Sequence, residues 1–153
     1  MDSETYFQVG QIDHVEMFVP GRYEAANWYE EILGLRVIPE YEHWAEDPGG
    51  PLMISSDGGS TKLALFRGEP PGDRPTSGYL QVAFRVTGDA FLIFLRMLET
   101  LKLVDHQNRR VTRDMVADHG RSFSIYFSDP YGHRLEITSY DYDALASSLW
   151  NED

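Results

Sequence analysis

Cysteine is absent from this chain, which removes disulfides, thiolate zinc sites and cysteine nucleophiles from consideration. Positive charge is scarce: 13 Lys and Arg stand against 25 Asp and Glu, for a net charge of −12. An acidic balance of that size argues against nucleic acid and anionic membrane surfaces, both of which select Lys and Arg. Long apolar runs are also missing. The longest, Ala90–Leu95, stops at Arg96, far short of the roughly 20 residues a membrane-spanning helix needs. The opening MDSETYFQ has neither the basic region nor the apolar core of a secretory signal. The expectation is a cytoplasmic protein with no membrane or nucleic-acid partner. Its hydrophobic fraction of 42% and aromatic fraction of 13% suit a globular fold. A chain of 153 residues suits one domain that buries roughly two-thirds of its unfolded surface.

Self-similarity organises that domain. Residues 11–67 read as a strand, a helix over Tyr23–Leu33 closed by Gly34, and three short strands at Leu35–Pro39, Leu52–Ser55 and Lys62–Arg67. The helix stripe takes Ala25, Trp28 or Tyr29, Ile32 and Leu33. Residues 79–139 repeat the order: a strand at Leu80–Val86, then a helix over Ala90–Leu101 with Asp89 as its N-cap. Strands follow at Arg109–Thr112, Phe123–Ser128 and His133–Ser139. Residues 68–78 have linker composition, and 141–150 suit a short C-terminal helix. Each half has too few strands to bury its own apolar face. The expected fold class is therefore α+β: two βαβββ modules forming a curved, mostly antiparallel sheet around a cavity.

Three residues break the apolar logic. His14 in IDHVEMFV, Gln81 in LQVAFRV and Glu136 in HRLEITSY alternate with apolar neighbours and should face inward. Superposing the halves sets His14 against Gln81 and Ala64 against Glu136. A buried carboxylate or imidazole costs several kcal/mol unless it is paired or bound to metal. A lone inward histidine is ordinarily a satisfied core residue, but three polar groups converging on one cavity point to a divalent cation. Nitrogen and oxygen donors without sulfur suit Fe(II), Mn(II), Zn(II) or Ni(II) alike. Glu16 shares the strand face of His14, as a supporting group or a base. Arg85 shares the face of Gln81, and its guanidinium suits an anionic substrate group, as do Arg113 and Arg121 in the basic stretch from Lys102 to Arg121. The apolar helix AFLIFLRML needs cover on more than one side, which a homodimer would supply.

The residues IDHV, WYEEILGLRV, QVAFRV and SIYFSDPYGHRLEIT together resemble the vicinal oxygen chelate superfamily, which includes glyoxalase I, extradiol dioxygenases, fosfomycin-resistance enzymes and bleomycin-resistance proteins. The resemblance implies metal ligands at His14, Gln81 (histidine in many members) and Glu136. Ala64 stands where glyoxalase I has a fourth ligand, which implies a three-ligand site with open positions. The run from His119 through Tyr126 to Glu136 is similar to the extradiol dioxygenase signature. It implies His119 as acid–base and Tyr126 as a donor to substrate oxygens. Two functions follow as expectations. One is a metal-dependent dioxygenase, lyase or isomerase, using His119, Tyr126 and Glu16 on a small substrate that chelates the metal through vicinal oxygens. The other is a metal-free, bleomycin-resistance-like protein sequestering a small cationic ligand.

Overall fold

A computed structural model describes residues 7–69 and 80–150 of the chain. It divides into two compact units, Met1–Gly72 and Asp73–Asp153. The linker expected at residues 68–78 falls almost wholly outside the described residues.

The first unit runs β1 (His14–Val19), α1 (Arg22–Leu33), β2 (Arg36–Val37), β3 (Leu52–Ser55) and β4 (Lys62–Arg67). The second runs β5 (Gln81–Arg85), α2 (Gly88–Leu101), β6 (Ala117–Asp118), β7 (Phe123–Ser128), β8 (Arg134–Ser139) and α3 (Tyr142–Trp150). Each unit hydrogen-bonds its own four-stranded mixed sheet, in the orders β1-β4-β3-β2 and β5-β8-β7-β6. The first and last strands of each βαβββ module pair in parallel, and the remaining pairings are antiparallel.

Alternation along β1 explains how the first module packs. Met17 and Val19 are buried, whereas His14 and Glu16 are exposed. Tyr29, Ala25, Ala26 and Ile32 form the buried stripe of α1, so Tyr29 and not Trp28 takes the inner position. Its hydroxyl reaches Met17 Sδ at 3.6 Å. Burying side chains of this size stabilises by roughly 1.5–3 kcal/mol each. Gly34 ends the helix at φ 69°, donating to the Glu30 carbonyl at 3.0 Å, a left-handed cap that glycine adopts without a Cβ clash.

The strand expected over Leu35–Pro39 shortens to Arg36–Val37 because Pro39 opens a 3-10 run, Pro39–Glu46. Proline has no N–H for a ladder and a fixed φ suited to a helical first turn. Arg22 ties this run to α1 by donating to the carbonyls of Ala45, Asp47 and Gly50. A Cβ at Gly50 would lie 2.0 Å from the Trp44 carbonyl oxygen, so only glycine closes the loop.

The second module corrects two expectations. The N-cap of α2 is Thr87, not Asp89: its hydroxyl accepts from Ala90 N–H at 3.2 Å. Asp89 lies inside the first turn. The strand expected at Arg109–Thr112 is reduced to one isolated antiparallel bridge, Val104 to Arg110, across the turn at residues 106–108. Asp105 causes this by accepting the N–H groups of Gln107 and Arg109 at 2.9 Å each, which diverts them from a ladder. Phe91, Phe94, Leu95 and Leu98 form the buried face of α2, while Ile93 remains 48% exposed. Asp141 accepts the Gly88 N–H at 2.6 Å, linking the exit of β8 to the start of α2. Among the described residues no helix is long and apolar enough to cross a membrane.

The cap assignment is directly testable. Thr87→Ala should lower unfolding free energy by about 1 kcal/mol, and Asp89→Ala by clearly less, measured by urea denaturation of both variants.

Candidate functional site

In the first module, β1 begins with a chain of polar contacts. Lys62, buried at the start of β4, donates to Asp13 Oδ1 at 3.0 Å and to the Gly59 carbonyl at 2.6 Å. Asp13 Oδ2 in turn lies 2.8 Å from His14 Nδ1, and Glu16 Oε2 lies 3.3 Å from His14 Nε2. A carboxylate only accepts, so each ring nitrogen meets its carboxylate as an N–H donor, Nδ1 toward Asp13 and Nε2 toward Glu16. The hydrogen bond to Asp13 holds the His14 pKa above the ordinary imidazole value; burial opposes it, and the contact with Glu16 adds to the rise. The His14 and Glu16 side chains are 36% and 54% exposed. Both groups are thus more open to water than the inward positions expected of them.

In the second module, β8 carries Glu136 between two partners. Gln81 Nε2 donates to Oε1 at 3.2 Å, and Ser124 Oγ donates to Oε2 at 2.7 Å. Tyr126 on β7 stands directly across from Glu136 in register. Burial first, then the Glu136 charge, pushes its phenol pKa up, so it stays a proton donor. His119 Nε2 and Tyr126 Oη share a 2.9 Å hydrogen bond. Gln81, Glu136, Tyr126 and His119 thus form one polar path. Ser124 lies two residues before Tyr126 on β7 and so shares its strand face. Asp13 and Lys62 were missed: one lies just outside the strand, and the other meets it only through β1·β4 pairing.

The arginines are less concentrated. Arg85 keeps the strand face of Gln81, and its guanidinium lies 4.9 Å from the Tyr140 ring centroid, a cation–π distance. Arg113 is half-buried in a 3-10 turn, and Arg121 is exposed in the segment before β7.

The modules share one register. His14 pairs with Lys62 and Glu16 with Ala64, while Gln81 pairs with Arg134 and Ala83 with Glu136. His14 and Gln81 therefore occupy equivalent positions, as do Ala64 and Glu136. Among the described residues no three histidine, aspartate or glutamate side chains form a metal-holding group. By chemical type an imidazole nitrogen, an amide oxygen and a carboxylate can each ligate a divalent cation. Asp13 holds the Nδ1 side of the His14 ring and leaves Nε2 as the nitrogen that could ligate once its proton is displaced. Gln81 donates through nitrogen and keeps its carbonyl oxygen free, and Glu136 retains lone pairs beyond those its two donors use.

The family model described as Glyoxalase/Bleomycin resistance protein/Dioxygenase superfamily matches residues 11–137. No curated protein matches the chain. Among solved structures, Oxidase ChaP-H2 is 23% identical, with a TM-score of 0.60 over 88% of this chain and 97% of its own. The fosfomycin resistance protein FosX from Listeria monocytogenes is 14% identical, with a TM-score of 0.61 over 90% and 99%. A putative glyoxalase family protein from Bacillus anthracis is 22% identical, with a TM-score of 0.56 over 90% and 100%. At these identities the likeness is one of fold.

The ionic contacts of His14 give a prediction with a definite sign. In an NMR titration its imidazole should titrate above the ordinary histidine value, and Asp13→Asn should bring it down. Its stabilising contribution should be complete below the unfolded imidazole pKa and fade as pH rises through the folded value.

Proposed function

The chain belongs to the glyoxalase/bleomycin resistance protein/dioxygenase superfamily, and on that premise we propose a small divalent-metal-dependent enzyme whose substrate chelates the metal through vicinal oxygens. The polar path from His119 through Tyr126 to Glu136 carries this reading, since a surface tyrosine and histidine need no such alignment for packing. His14, Gln81 and Glu136 would hold Fe(II), Mn(II), Zn(II) or Ni(II). Such a cation, when bound, acts as Lewis acid and template for two adjacent substrate oxygens.

The chain's own residues do the rest. Tyr126, kept protonated by burial and then by the Glu136 charge, donates a hydrogen bond to a substrate oxygen. His119 takes or returns a proton through the shared bond at Tyr126 Oη. Ser124 and Gln81 fix the Glu136 carboxylate, so its orientation needs no reorganisation when substrate binds. Arg85, with Arg113 and Arg121, would hold an anionic group of the substrate. Extradiol-type ring cleavage and glyoxalase-type lyase or isomerase chemistry both use these roles. A single domain built from both modules, cytoplasmic residence and a homodimer covering α2 belong to the same reading.

A second reading has its own support. Both Glu136 oxygens already have donors without a cation, as in a metal-free cavity that sequesters a cationic ligand. Metal analysis of protein purified without chelator separates the two. The enzyme reading expects about one transition metal per chain, lost in His14→Ala and in Glu136→Ala. Oxygen uptake across a catechol panel then tests ring cleavage, with His119→Gln lowering turnover by about 10²–10⁴-fold while metal is retained. Failure to take up any of the four metals, with tight binding of cationic aromatics, would favour sequestration. Sedimentation at micromolar concentration should give a dimer; monomer alone removes that part of the reading.

A further inference from the structure

We propose that Tyr142 is a positioning residue: through Asp118 it fixes the turn that carries His119, and so holds His119 against Tyr126. For the task of His119 as a proton carrier the inference rests on the metal-enzyme reading above. Every contact it uses lies within the second module.

The turn that carries His119 is short and lies at the sheet edge. β6 has only two residues, Ala117 and Asp118, and stands last in the order β5-β8-β7-β6. His119 follows it as an exposed residue of the connection to β7. Its backbone N–H reaches the Ser122 carbonyl at 2.9 Å, and Gly120 turns the tip at φ 83°. An edge strand of this length opens readily unless something outside the ladder holds it.

Strand alternation decides where such a hold can act. Asp118 pairs with Phe123, and Ala117 pairs with Ser124. Successive side chains point to opposite faces. Asp118 therefore lies on the Phe123 face, while His119 keeps the face of Ala117, Ser124 and Tyr126. A hold on Asp118 sets the direction of His119 without occupying the face that His119 uses.

α3 provides it. The Tyr142 ring stacks on Phe123, with centroids 4.7 Å apart and planes at 7°. From there Tyr142 Oη lies 2.9 and 3.0 Å from the two Asp118 carboxylate oxygens. Asp118 Oδ1 also accepts the Gly120 N–H at 2.8 Å, so one carboxylate joins the helix to both neighbours of His119. The bond to Asp118, then burial, pushes the Tyr142 phenol pKa up, and the hydroxyl stays a donor. The helix has other anchors. Leu145 is buried, Trp150 meets Phe123 edge-on at 5.8 Å, and Asp141 accepts the Gly88 N–H. Removing one hydroxyl should leave α3 in place.

Tyr142→Phe tests the clamp, because it keeps the ring stack and deletes only the hydroxyl. The readout is cross-relaxation between the His119 and Tyr126 rings, whose centroids lie 6.3 Å apart, in NMR spectra of the metal-free full chain. That signal should weaken in Tyr142→Phe and in Asp118→Ala, with the contact of residue 142 to Phe123 and the thermal midpoint unchanged in Tyr142→Phe. In an Asp118→Ala background, Tyr142→Phe should add nothing. With Fe(II) bound, Tyr142→Phe should lower kcat toward catechol by up to about 10²-fold at unchanged KM, the cost of a misplaced catalytic group. A ring signal missing from the unmodified protein, or unaltered in both variants, overturns the clamp. So does a Tyr142→Phe effect that persists without Asp118. Catechol turnover beside an unaltered signal leaves the metal-enzyme reading intact. A signal that weakens in Tyr142→Phe, from a protein that takes up no metal, removes that reading and keeps the clamp.

Discussion

The parallel pairing of first and last strands is the constraint on which the rest of each module depends. A β-sheet ladder admits no half-steps, because a one-residue slip would move every side chain to the opposite face. With β1 locked to β4, Met17 and Leu65 share one face, and His14 and Lys62 share the other. The same locking of β5 to β8 brings Gln81 within reach of Glu136, two positions along. Apolar burial thus fixes the location of the polar groups as a by-product. A tightly specified covered face leaves its reverse no freedom to shift.

On that reverse face, charge is arranged in short, mutually supporting chains. Lys62 orients Asp13, Asp13 orients His14, and His14 meets Glu16. In the other module, Ser124 and Gln81 hold Glu136, which acts on Tyr126, which meets His119. Hydrogen bonds in series polarise one another and fix rotamers that isolated surface groups would sample freely. Both chains therefore hold their side chains in defined orientations. The −12 net charge adds a field favourable to cations approaching either of them.

Much of this was legible in the residues, and the exceptions have physical causes. The limits of β3, β4 and β7 match those expected from alternation and turn clusters, because buried strands bounded by glycine and aspartate are strongly patterned. The cap of α2 was misplaced because Asp89 and Thr87 both suit a helix start, one by charge in the first turn and the other by its hydroxyl. The turn at Asp105 was hidden because a carboxylate gathering backbone N–H groups has no periodic signature. At the site, alternation identified which face His14, Glu16, Gln81 and Tyr126 occupy. It did not reveal how open that face is, since exposure depends on neighbouring segments. Nor did it reveal Asp13 and Lys62, whose contact spans 49 residues of sequence.

The exchange of alanine and glutamate between paired strands, Glu16 opposite Ala64 and Glu136 opposite Ala83, bears on how duplicated halves diverge. If an ancestral module carried its acid on the closing strand, a loss there and a gain directly across the ladder would leave a carboxylate on the same face, one strand over. In proteins assembled from repeats, inheritance is better traced through facing neighbours than along a single row of the chain.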